Sequence, residues 1–149
     1  MARLIQTGDT PAKERNKNMR TGAEILRLLA QRPEFDEEAH DMVSYLVFCL
    51  RDIYRTIDES ANAWDERTYW KKAEGLRHKW RWARIAADEL EKLVRADNWY
   101  EVPHYLISLI PHFSGITVTS ITRDSDWWCG AHRALLKEKS APAAAAKTA

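Results

Sequence analysis

The chain has little in it that bends a backbone. Gly and Pro occur five times each in 149 residues. That is too few turn formers for a fold of many short strands, so long helices are expected. There are only two cysteines, Cys49 and Cys129. A disulfide framework is therefore not expected, and a reducing, cytoplasmic setting is. Net charge is nearly absent: 23 Lys and Arg stand against 22 Asp and Glu, a formal +1. Any affinity for an anionic partner must then come from local clustering. No run approaches the ~20 apolar residues of a membrane span. Residues 1–20 hold no apolar stretch that could serve as a signal-peptide core. A Gly-rich phosphate loop, a Gly-x-Ser-x-Gly elbow and a His-Glu-x-x-His motif are all missing. The expectation is a chain with no catalytic residues, no cofactor and no membrane partner.

What is present is a strong helical rhythm. A hydrophobic fraction of 45% with 30% charged residues suits one globular domain with its own core. In the run Met-Val-Ser-Tyr-Leu-Val-Phe-Cys-Leu at 42–50, eight of nine residues are apolar or aromatic. A half-exposed helix shows one apolar stripe, whereas this segment is apolar on every side, so it should be enclosed by the rest of the chain. Asp36 is a good N-cap for that helix, with Glu37 and Glu38 at its positive end. Ala39, Val43, Leu46, Leu50, Ile53, Ile57, Ser60 or Ala61, and Trp64 then recur at steps of three and four. Asn62 and Asp65 place a bend within 60–65. A second seam follows: Tyr69, Ala73, Leu76, Trp80, Ala83, Ala87, Leu90 and Val94. Its alanines face the larger side chains of the first seam and allow close antiparallel packing. Gly75 sits mid-helix, as a close crossing or an interruption.

The flanking segments are shorter. Residues 1–20 carry Arg3, Lys13, Arg15, Lys17 and Arg20 and are broken by Gly8 and Pro11, so they read as a mobile basic arm. Thr21 and Glu24 have the capping-box spacing for a short first helix ending before Pro33. Pro103 suits the start of a fourth helix bearing Tyr105, Leu106, Leu109 and Ile110. The alternating residues 116–121 have no sheet to join and read as loop. Asp124 or Ser125 caps a last helix with Trp127, Trp128, Ala131, Leu135 and Leu136. Residues 139–149 form a low-complexity tail, read as disordered. The expected architecture is all-α: a four- to five-helix bundle at 21–138 built on a long antiparallel helical hairpin.

Two stretches stand out as binding surfaces. Residues 70–84 hold Lys71, Lys72, Arg77, Lys79, Arg81 and Arg84 against Glu74 alone, interleaved with Trp70, Trp80 and Trp82. Cations that track phosphates and rings that stack on bases suit a nucleic-acid strand. Trp80 falls on the seam and is expected to be buried, which leaves Trp70 and Trp82 as platforms. Some of the cations can pair with Asp52, Asp58 or Glu59 of the second helix. The second stretch is Trp127-Trp128. Adjacent helical residues point ~100° apart, so one ring packs inward while the other is free for a partner.

Two Glu-x-x-His pairs, Glu37 with His40 and Glu101 with His104, have the spacing used in metal-binding bundles. They lack the two further inward carboxylates such a site needs, so no metal is expected. Cys129 and His132 stand one turn apart without an orienting partner. The leading expectation is a non-enzymatic helical interaction or assembly subunit whose partner is a protein or a second copy. Direct RNA or DNA binding through the third helix is the alternative, and a metal-dependent bundle enzyme the remote one. In size and class the chain is similar to small helical subunits of nucleoprotein effector complexes, such as those of CRISPR systems.

Overall fold

The computed structural model describes residues 9–138. The elements run α1 (Pro11–Ala30), α2 (Glu37–Glu66), α3 (Trp70–Arg95), a 3-10 turn (Trp99–Glu101), α4 (Val102–Leu109), a second 3-10 turn (Ile110–Phe113), α5 (Ser125–Trp128) and α6 (Ala131–Lys137). No strand occurs among the described residues. The protein is an all-helical bundle built on the α2–α3 hairpin, as the two seams predict.

Helix α2 is the centre, in contact with α1, α3, α5 and α6. This explains its apolar girdle. Of residues 42–50 only Phe48 keeps partial exposure. Asp36 caps the helix by accepting a hydrogen bond from the Ala39 N–H at 2.9 Å. Along the α2 seam, Ala39, Val43, Leu46, Leu50, Ile53, Ile57 and Ala61 have no accessible surface. Facing them are buried Ala73, Ala83, Ala86, Ala87, Leu90 and Val94 of α3. Each fully buried Leu or Ile contributes roughly 1.5–3 kcal/mol, and the small α3 side chains let the two backbones come close. The antiparallel sense is visible in cross-pairs: Arg51 meets Glu91 at 2.8 Å and Arg77 meets Asp65 at 2.9 Å.

Five details differ from the sequence expectation. The first helix starts at Pro11, not Thr21. Thr10 is its N-cap, accepting from the Lys13 N–H, and Pro11 occupies the first turn. The second half of the expected basic arm is therefore helix, while residues 1–8 and the tail at 139–149 lie outside the described residues. Thr21 is mid-helix and donates to the Lys17 carbonyl.

The bend of the hairpin is not at 60–65. The seam continues through Ala61, and α2 ends only at Glu66. Thr68, with φ 63°, closes it: its N–H donates to the Asp65 carbonyl, and that of Tyr69 to the Trp64 carbonyl. This is the Schellman pattern, with Thr in the place where Gly is usual.

On the α3 seam, Leu76 and Trp80 are only partly buried, and Tyr69 is 54% exposed. Arg15 of α1 covers Trp80 at 5.7 Å, and Leu76 and Tyr69 lie further towards the tip. Gly75 neither interrupts α3 nor marks a crossing, since a side-chain carbon there would meet nothing within 4 Å. Finally, the expected last helix is two pieces. Cys129 leaves the helical region, and Gly130 at φ 83° turns the chain into α6.

Polar networks tie the shorter helices on. Arg55 of α2 bridges Glu14 of α1 and Asp52 at 2.7 Å each, and Asn18 donates to Asp52 at 2.7 Å. Arg51 and Arg95 share Glu91 at 2.8 and 2.7 Å. Arg95 also donates to the Leu135 carbonyl at the end of α6. Glu24, with no accessible surface, holds the loop before α5. It accepts from the N–H groups of Thr122 and Arg123 at 2.9 and 3.0 Å and from the Arg123 guanidinium at 2.7 Å.

Candidate interaction surfaces

The basic-aromatic stretch of α3 is divided between side chains engaged within the molecule and side chains in solvent. Arg77 is drawn onto the hairpin itself, meeting Asp65 at 2.9 Å, Glu74 at 3.5 Å and Asp58 at 3.9 Å. These partners hold its pKa above the ordinary value, with the Asp65 hydrogen bond the largest cause. Arg84 lies over the Tyr54 ring at 6.0 Å, and Lys72 over the Trp64 ring at 5.1 Å. Trp82 is not an open platform. It stacks on His112 at 4.1 Å with the rings 6° from parallel, and meets Phe113 edge-on at 5.6 Å. Its work is to fasten the turn after α4 to α3. Trp80 is partly buried beneath Arg15, 5.7 Å away. What is exposed is Trp70, with Lys71, Lys72, Lys79, Arg81 and Arg84.

Of the tandem tryptophans, Trp128 is buried and donates from Nε1 to Glu38 at 3.0 Å. It fastens α5 to α2. Trp127 is exposed, with the Arg123 guanidinium 5.1 Å from its ring. The split between the two rings is the one their 100° separation requires.

The Glu-x-x-His pairs do not build a ligand set. Among the described residues, no group of three or more His, Cys, Asp or Glu could hold a metal ion. His40 instead stacks on Trp99, with ring centres 3.7 Å apart. It meets His132 edge-on at 5.5 Å. Burial, then the nearby His132, lowers the His40 pKa. Both cysteines are free, Cys49 buried and Cys129 exposed.

One surface was not anticipated. Between the end of α1 and α4 lies a groove of about 580 Å³, lined by Leu26, Leu29, Phe35, Trp99, Leu106 and others. Its outer wall is a stripe of Tyr100, Pro103, Ile107 and Ile110. Tyr100 is 81% exposed and Ile107 63%. A second hollow of about 300 Å³, lined by Phe113, Ile116 and Val118, shares Leu26, Ala30 and Ile110 with the first. The signal was in the sequence. Val102, Leu106 and Leu109 fill the inner face of α4, and a second stripe at steps of three and four was left over.

Compared with known proteins, the chain matches no family model, no curated protein and no solved structure. No described helix is long and apolar enough to cross a membrane.

Proposed function

We propose that the chain is a non-enzymatic helical assembly subunit that joins a second copy of itself through the outer face of α4. The supporting observation is the doubly apolar character of α4. Its inner stripe is used by the core, while Tyr100, Ile107 and Ile110 stand in solvent beside an apolar groove. Contiguous exposed apolar surface of this kind marks interaction sites. A ridge lying next to a groove is self-complementary under a two-fold axis, because each copy's ridge enters the other's groove.

Size-exclusion chromatography with light scattering tests this. The expected result is a dimer at tens of micromolar. Ile107→Glu, a change in an exposed residue, should give a monomer of unchanged helicity, since a charge cannot be buried unpaired in such a contact. A wild-type chain that stays monomeric at that concentration overturns the reading.

A further inference from the structure

We propose that the tip of the α2–α3 hairpin is a binding site for single-stranded nucleic acid, with Tyr69 and Trp70 stacking on bases and Lys71, Lys72 and Arg67 meeting phosphates. The site is separate from the α4 face, and neither proposal depends on the other.

The hairpin outruns the bundle. Arg15, on the first half of α1, reaches Ser60 at 3.3 Å and covers Trp80 at 5.7 Å. Beyond those residues, α2 and α3 have chiefly each other: of residues 61–79 only Ala61 and Ala73 are buried. At the end of this projection two consecutive aromatic residues are exposed, Tyr69 at 54% and Trp70 at 66%. Thr68, Tyr69, Trp70, Lys71 and Lys72 line a hollow of about 580 Å³ there. The backbone under the rings is fixed, since the Tyr69 N–H is bonded to the Trp64 carbonyl at 2.8 Å.

Charge selects the ligand. Over residues 64–81 the cations are Arg67, Lys71, Lys72, Arg77, Lys79 and Arg81, and the acids are Asp65, Glu66 and Glu74. Arg77 engages both Asp65 and Glu74. Arg67, Lys71, Lys79 and Arg81 form no ion pair among the described residues, which leaves the tip electropositive. Exposed rings flanked by unpaired cations match a strand whose bases are free to stack and whose backbone is anionic. A duplex hides its base faces. A membrane-inserting tip would set aliphatic side chains beside its tryptophan, whereas the neighbours here are Thr68, Lys71 and Lys72, and the exposed isoleucines Ile107 and Ile110 belong to α4 and the turn after it.

The test is fluorescence anisotropy of labelled mixed-sequence RNA and DNA strands of about 12 nucleotides, titrated with the full chain at low salt. The wild type is expected to bind and to weaken as salt rises. Tyr69→Ala with Trp70→Ala should weaken binding about tenfold or more, with an unchanged thermal melt because both side chains lie in solvent. Lys71→Ala with Lys72→Ala should weaken binding and flatten its salt dependence. Arg84→Ala, about 20 Å along α3 from Trp70 and against Tyr54, should change neither. Absence of binding at low salt overturns the proposal. So does an affinity for duplex equal to that for the strand, or binding indifferent to the loss of both rings. Binding to phosphatidylserine vesicles through Trp70, without binding to either strand, would also overturn it and make the tip a membrane contact.

Discussion

A carbon added at Gly22 would stand 2.8 Å from Cε2 of Phe113. Helix α1 and the turn after α4 approach so closely that only hydrogen fits between them. Phe113 cannot easily withdraw, being buried and held edge-on by Trp82 at 5.6 Å. Gly22→Ala is therefore expected to destabilise by about 1–3 kcal/mol, although Ala is the better helix former. Gly75→Ala is expected to do the opposite. It adds a methyl group in open space and stabilises by up to about 1 kcal/mol. Urea unfolding of the two variants beside the wild type checks both signs.

The hairpin turn stores strain that can be removed. Thr68 holds φ 63°, a region that costs a β-branched residue about 1–2 kcal/mol. Thr68→Gly relieves it and keeps both capping hydrogen bonds, which use the backbone alone. Part of the gain is lost to the greater freedom of Gly in the unfolded chain. A net stabilisation of about 0.5–1 kcal/mol is expected, read from the thermal midpoint. A destabilised variant would mean that the Thr68 side chain holds the turn.

Acid should loosen the loop before α5. Burial pushes the Glu24 carboxyl up, but the bonds from Thr122, Arg123 and Arg20 outweigh it and hold the pKa at about 2. The folded value lies below the unfolded one, so the stabilisation is complete above about pH 4.5 and is lost as pH falls towards 2. It amounts to roughly 3 kcal/mol at neutral pH. Glu24→Gln should lose a similar amount at pH 7 and show a flatter decline of the urea midpoint between pH 5 and 3.

A second pH effect has its own window. The His40 pKa is lowered, first by burial and then by His132, while Asp97, Asp36 and Asp41 oppose the shift. The folded state thus favours neutral imidazole, and the unfolded chain takes up the proton more readily. Stability should fall as pH drops below about 6.5. His40→Gln should remove most of that slope between about pH 7 and 5. An unchanged slope would assign it to another group.

The hairpin was legible in the sequence because its information is local. Steps of three and four over six or more turns put one stripe of Leu, Ile and Ala on each helix, and two such stripes can only face each other. The enclosure of residues 42–50 was legible for the same reason. The start of α1 was harder to see. Thr10-Pro11 is an N-cap followed by a first-turn proline, yet the buried residues beyond it include Glu14 and Asn18. Their burial depends on Arg55 and Asp52 of another helix, and no apolar pattern announces it. The surroundings of several candidate residues were hidden for a related reason. Nothing local in the sequence announces that His112 lies against Trp82, Glu38 against Trp128 and Asp65 against Arg77.

The sequence by itself determined the helical class, the central helix and the antiparallel pairing, because hydrophobic spacing along one segment is enough to fix them. The tertiary structure alone decided which cations and rings are spent inside the molecule and which remain in solvent. Exposure is a relation between distant segments: the same tryptophan is a wedge at position 128 and an open ring at position 70, according to whether another helix lies across it.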